Sequence, residues 1–267
     1  MIKITELIAS GKIIDLLFLI VVIISALYFI NQAEKGSWRK LRKLDAVDAI
    51  EEMVGRATEM GRPIHFCPGD SASLVGDLAP QTLAGMAIGK YTADLAAKYG
   101  CEMIATTAGN DGPQLMVILE DSIFHSYLAA GRPEGYKPGQ TVRYISNNFT
   151  GLSAAMSGIY ERDKIASTIL VGAWGGATIN MIGSAHSAGA MVLFGTARQA
   201  QIMWAVALAD YVLIAEEMFA AAAIVSNDPL LIGSITGQDI GKWVAVALLI
   251  IGSILQISGI GVKIFLR

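Results

Sequence analysis

His65 and Cys67, in the run Pro63-Ile64-His65-Phe66-Cys67, are the first residues along the chain whose types and spacing suit chemistry. An H-x-C pair offers two metal ligands, and on an extended strand the period of two puts both on the same sheet face. A structural zinc needs about four ligands. Cys101, the other cysteine, begins its strand whereas Cys67 ends one. In a parallel sheet the two would stand roughly 15 Å apart at about 3.3 Å per residue. No metal is assigned, and both cysteines are expected to be buried thiols. A Cys–His nucleophile would require Cys67 beside His125 or His186. His125 follows Ile123 and Phe124, and His186 sits in the small-residue run Gly183-Ser-Ala-His-Ser-Ala-Gly-Ala190, so both are expected to be packed core histidines. Glu216 and Glu217 adjoin the last predicted strand and suit a helix start better than an acid–base pair. No catalytic residue is assigned.

A second set of candidates lies in polar, glycine-rich loops that follow predicted strands. In an open parallel sheet, ligands bind outside the carboxyl ends of the strands. The loops supply Asp70, Ser71, Thr107, Asn110, Asn147, Gly175, Gly176 and Thr178 as candidate ligand-binding residues. The same residue types are demanded by the turns and helix caps of any βα loop, so capping accounts for most of them. The segment Gly172-Ala-Trp-Gly-Gly-Ala-Thr178 follows a strand and opens a helix, the placement of a phosphate cradle. It has neither the lysine and spacing of a P-loop nor a GxGxxG fingerprint, and no cofactor is assigned.

These residues are positioned by an alternation of short apolar runs and longer helical patterns. Strands are expected at 63–67, 102–106, 142–146, 168–173, 191–195 and 211–215, with helices beginning near Leu78, Pro113, Phe149, Ala177 and Gln199. An amphipathic helix over 45–60 precedes them, with apolar residues at Val47, Ile50, Met53, Val54 and Ala57, and Gly61 stops it. Strict alternation implies an α/β three-layer sandwich around a mostly parallel sheet of about six strands. Gly, Ala and Ser crowd residues 151–158, 175–190 and 220–223. Helices with such faces pack closely, either onto their own sheet or onto a neighbouring subunit.

The composition is too apolar for this domain alone. Hydrophobic residues make up 54% and charged residues 16%, with a mean hydropathy of +0.53. Typical globular chains are closer to half apolar and a quarter charged. The excess sits in two stretches, 13–30 and 243–262, which at about 1.5 Å per residue are long enough to cross a bilayer. The first is read as a retained helix, because the apolar core of a signal peptide runs only about 7–15 residues. The chain thus divides into a tail (1–12), transmembrane helix (13–30), basic linker (31–44), α/β domain (45–226), return segment (227–242), second transmembrane helix (243–262) and tail (263–267). Lys35, Arg39, Lys40, Arg42, Lys43 and Lys242 flank the domain side, against Lys3, Lys12, Lys263 and Arg267 on the other. That bias places the domain in the cytoplasm and both termini outside. Gly252, Ser253, Gln256 and Gly259 are small or polar residues that lipid does not require, and they are the candidate helix contacts. The net charge of −3 gives no general attraction to nucleic acid.

The runs Ala49–Pro68 (AIEEMVGRATEMGRPIHFCP), Asp210–Glu217 (DYVLIAEE) and Asp228–Asp239 (DPLLIGSITGQD) resemble a family of uncharacterised prokaryotic membrane proteins with a domain of unknown function, found in archaea and in bacteria such as the Chloroflexi. The likeness spans most of the chain and implies terminal membrane segments around an α/β region. It transfers no catalytic residue. Double anchoring, small-residue faces and the lack of a catalytic signature lead to the expectation of a membrane-anchored, non-enzymatic assembly or scaffold subunit. Its partners are the lipid bilayer and either further copies of itself or another membrane-complex component. The alternative is a ligand-binding or enzymatic domain that uses the strand-end loops for a nucleotide or other anionic metabolite. That alternative requires an enclosed polar pocket lined by Asp70, Asn110, Asn147 and Thr178.

Overall fold

The computed structural model describes residues 13–36 and 43–257. The chain forms two units, one made of residues 42–226 and the other of residues 1–41 with 227–267.

The larger unit opens with α2 (Asp45–Met60), after the N-terminal helix α1 described below. Its apolar stripe buries Ile50, Met53, Val54 and Ala57 completely, and Gly61 ends it in the left-handed conformation at φ 60°. A non-glycine residue would be strained there. Then follow β1 (Ile64–Cys67), α3 (Ala79–Tyr99), β2 (Met103–Ala108), α4 (Gly112–Ala129), β3 (Val142–Ser146), α5 (Phe149–Arg162), β4 (Ser167–Val171), α6 (Thr178–Ser187), β5 (Met191–Thr196), α7 (Gln199–Leu208), β6 (Tyr211–Ile214) and α8 (Glu216–Ser226).

All strand pairings are parallel and the order is β3-β2-β1-β4-β5-β6. This is the doubly wound arrangement, and it reverses direction between β1 and β4. The four inner strands are almost wholly buried, whereas edge strands β3 and β6 are only partly so. Continuous apolar runs are what a sheet covered on both faces requires. One core lies beneath α2, α3, α4 and α8, and the other beneath α5, α6 and α7. The strand period divides β1 between them: Phe66 enters the first core, while Cys67 enters the second.

Glycines and alanines set the close approach of α3. A Cβ on Gly89 would lie 2.5 Å from the Phe66 ring, and one on Gly85 would collide with the Val171 carbonyl. The alanine run of α8 is spent in the same way: Ala221, Ala222 and Ala223 are buried within the domain.

The smaller unit pairs α1 (Ile13–Glu34) with α9 (Pro229–Ile257). Both are long and apolar enough to cross a membrane, over Leu16–Glu34 with mean hydropathy 2.3 and Pro229–Ile254 with 1.3. The return segment 227–242 is helical from Pro229 onward and continuous with the second apolar stretch. Asp228 starts it, with Oδ1 accepting the Leu230 N–H at 2.8 Å, and proline is tolerated in the first turn because no N–H is needed there.

Gly233, Gly237 and Gly241 lie on one face of α9 and are opposed by α1. An added Cβ would stand 2.5 Å from Ile30 Cα, 2.5 Å from Ala26 Cα and 3.0 Å from Val22 Cγ2 respectively. Ser25 Oγ also donates to the Gly237 carbonyl at 3.0 Å. The matched numbers run in opposite directions, so the helices are antiparallel, and small residues let their backbones approach.

The described contact between the helices thus lies toward the start of α9, at Gly233, Gly237 and Gly241. Nothing described lies within 4 Å of a Cβ on Gly252, and Ser253 Oγ donates to Leu249 of its own helix at 2.8 Å. The Gln256 side chain, Gly259, and the basic residues Lys3, Lys12, Arg39, Lys40, Arg42, Lys263 and Arg267 lie outside the described residues.

Candidate functional site

The reversal between β1 and β4 is where a doubly wound sheet opens a crevice. Here two loops are laced across it. After β1, Gly69 adopts φ 124°, and after β4, Gly172 adopts φ 147°. A Cβ on Gly69 would collide with the Ala173 carbonyl oxygen, and one on Gly172 with that of Pro68. The close approach permits backbone bonds from Ala173 N–H to the Pro68 carbonyl at 3.0 Å and from Ser71 N–H to the Ala173 carbonyl at 3.1 Å.

The lacing delivers the Asp70 carboxylate to the start of α6. Asp70 is 4% exposed and accepts from three successive backbone amides: Gly175 at Oδ1, and Gly176 and Ala177 at Oδ2, the latter two at 2.8 Å each. Ser71 Oγ donates to Oδ1 at 3.1 Å. Free N–H groups and the dipole at a helix start attract anions. The phosphate-cradle placement of Gly172–Thr178 is thus real in geometry, but its anion is a side chain of the same protein.

A third loop locks the cover. Asp111, after β2, accepts the Leu74 N–H and the Ser73 hydroxyl at Oδ2, each at 2.8 Å. The Leu74 backbone bond, followed by the Ser73 bond, holds its carboxyl below the usual range. A Cβ on Gly109 would stand 3.0 Å from the Ala72 carbonyl.

The eight candidate ligand-binding residues therefore separate. Asp70, Ser71, Gly175 and Gly176 meet in the filled cradle. Thr178 opens α6 just beyond, fully buried, and neither its hydroxyl nor Trp174 Nε1 has a hydrogen-bond partner among the described residues. Thr107 is buried and donates to the Gly112 carbonyl at 2.8 Å, bracing its own loop. Asn110 and Asn147 are exposed. The cap of α5 is Asn148, whose Oδ1 accepts the Gly151 N–H at 2.8 Å.

His65 lies in the middle of the sheet. Its Nδ1 is 2.7 Å from Thr168 Oγ1, its Nε2 is 2.9 Å from Thr106 Oγ1, and the Tyr160 ring packs edge-on at 5.4 Å. Burial, with a smaller contribution from the Arg143 charge, lowers its pKa to about 3. It is a neutral core residue satisfied by threonines on both adjacent strands. Burial likewise pushes the Cys67 thiol up to about 12, far from the thiolate a nucleophile needs. Burial also raises the Cys101 thiol.

The other histidines are on the surface rather than in the core. His125 is 3.4 Å from Asp121 on the exposed side of α4, and His186 Nε2 lies 2.8 Å from the Leu208 carbonyl. Both histidines are exposed on their helices, His125 beside the exposed Phe124. Glu217 accepts the Ile214 N–H at 3.2 Å, a helix-start role. Among the described residues, no group of three or more His, Cys, Asp or Glu is placed to hold a metal ion.

An open groove lies on the sheet face covered by α5 and α6. It has a volume of 660 Å³ and runs between these helices, floored by Ser153, Ser157, Gly183 and Ser184 and edged by Glu161 and Asn180. The Ser157 and Ser184 hydroxyls are 2.7 Å apart across it. Small residues of 151–158 and 175–190 thus line an external surface, unlike the alanines of α8.

The fold and its self-filled strand-end define a doubly wound α/β domain joined to an antiparallel pair of apolar helices. The chain belongs to the family described as Domain of unknown function (DUF6754), which matches residues 4–265 and so takes in both helices with the domain. No curated protein matches the chain. No solved structure matches it either.

Proposed function

We propose that this protein is a non-enzymatic assembly subunit of a prokaryotic membrane, in which α1 and α9 cross the bilayer and the α/β domain associates with copies of itself or a partner at the cytoplasmic face. The observation that carries the reading is Asp70 bonded to the three amides at the start of α6, in the crevice where such a sheet would bind an anionic ligand. The open small-residue groove between α5 and α6 supports an association role, since small side chains allow another backbone close approach. The apolar helices support membrane attachment.

A nucleotide or anionic metabolite at the strand ends would first have to displace Asp70 from those amides. The test is the molar mass of the detergent-solubilised full chain by light scattering. A discrete multiple of the 28.3 kDa chain is expected. A strictly monomeric particle would overturn the assembly reading.

A further inference from the structure

The two apolar helices fix each other's depth. Gly233, Gly237 and Gly241 face Ile30, Ala26 and Val22, so each step of four along α9 is matched by four residues back along α1. Continued, this register sets the middle of the apolar run 13–30 opposite residues 241 and 242. Lys242 and Asp239 form an ion pair at 3.0 Å at that level. The continuous helix from Pro229 thus carries into the apolar span two charges that lie outside the hydrophobic stretch 243–262.

At about 100° per residue, the Asp239–Lys242 side of α9 lies about 170° around from the glycine row. The glycine row faces α1, so the ion pair faces away from it. Its side chains are 56% exposed for Asp239 and 49% for Lys242. Val246, Leu249 and Ile250 extend the same face and are exposed as well. Charged residues within a membrane span face protein or water rather than lipid, because hydrocarbon solvates neither charge. A pair of opposite charges on one helix face is self-complementary: Asp239 of one copy can accept from Lys242 of another, and the reverse, without adding net charge.

We infer that the Asp239–Lys242 face of α9 is the interface between copies of this chain within the bilayer. This rests on the proposed membrane-anchored, self-associating role, and gives that association a surface.

The test uses the full chain in lipid nanodiscs and in its native membrane. Native mass spectrometry of Asp239→Leu/Lys242→Leu is expected to show monomers where the wild type shows oligomers, with the variant still in the membrane fraction. A separate Val246→Cys variant keeps the ion pair and is expected to form disulfide-linked dimers on oxidation. Ala247→Cys, about 100° further round the helix, is expected to stay monomeric on a non-reducing gel. Cys67 and Cys101 are buried and add no background. A leucine variant that keeps the wild-type subunit count, or equal cross-linking at 246 and 247, overturns the inference while leaving the proposed function standing. A monomeric wild type removes both. Should the leucine variant fail to reach the membrane, the cross-linking comparison decides alone.

Discussion

Asp70 is the residue on which the reading of the strand-end turns. Its two oxygens satisfy three buried or part-buried amides, and an unsatisfied buried donor costs about 1–3 kcal/mol. Asp70→Ala should therefore lower stability by about 3 kcal/mol or more, measured as the thermal unfolding midpoint of the full chain in detergent. Added formate, which replaces the missing carboxylate, should recover part of the loss in the variant and leave the wild type unchanged. Equal stabilisation of both proteins by formate would mean the cradle is open in the native chain.

His65 predicts a pH effect of definite sign. Its folded pKa of about 3 lies below the ordinary value of 6.5, so the unfolded chain binds the proton more tightly. Its contribution to stability is complete above about pH 6.5 and falls as pH drops toward 3, by about 1.4 kcal/mol per pH unit inside that window. A His65→Phe variant, which cannot titrate, should show a shallower fall in unfolding midpoint between pH 6.5 and pH 4.5. An unchanged slope would remove His65 as the cause. Cys67, buried with its thiol raised to about 12, should resist thiol reagents at pH 8 until the chain is unfolded.

Among the elements, α9 holds Gly237 packed against α1 and Gly252 with no described atom against it. Gly237→Ala places a Cβ 2.5 Å from Ala26 Cα and should destabilise the helix pair. Gly252→Ala meets no described atom within 4 Å and should be neutral or slightly stabilising, because alanine exceeds glycine in helix propensity by about 1 kcal/mol. Unfolding midpoints of the two variants in one detergent make the comparison, and the reverse order would contradict the helix register.

The sheet was legible because its strands are short apolar runs set between helical periodicities. The run 142–146 is strand β3 over its full length, and 191–195 falls one residue short of β5. Strand order was not legible, since periodicity records which face of a strand is buried and not which strand lies beside it. The closure over β1 and β4 depends on that order, so Asp70 reads in the sequence as a candidate ligand-binding residue, whereas its carboxylate accepts the amides at the start of α6. Gly233, Gly237 and Gly241 do carry a readable signal in their spacing of four. Asp239 lies among them and Lys242 follows, and the two charges lower the local hydropathy, so the second apolar stretch reads only from residue 243.

For the whole molecule, the family match over residues 4–265 treats the domain and both helices as one unit. Along the chain only Asn227 and Asp228 separate α8 from α9, whose apolar stretch is long enough to enter a membrane. If the domain lies at the cytoplasmic face, protease added outside intact cells should leave it uncut, and cleavage within residues 45–226 would reverse the orientation.

The central claim is that a doubly wound domain with its ligand crevice filled from within acts through association. Native mass spectrometry of the full chain released from lipid nanodiscs tests it most directly, because one spectrum reports both subunit number and retained small molecules. The account predicts a discrete oligomer carrying no small molecule. A monomer bearing a bound anionic metabolite would contradict it.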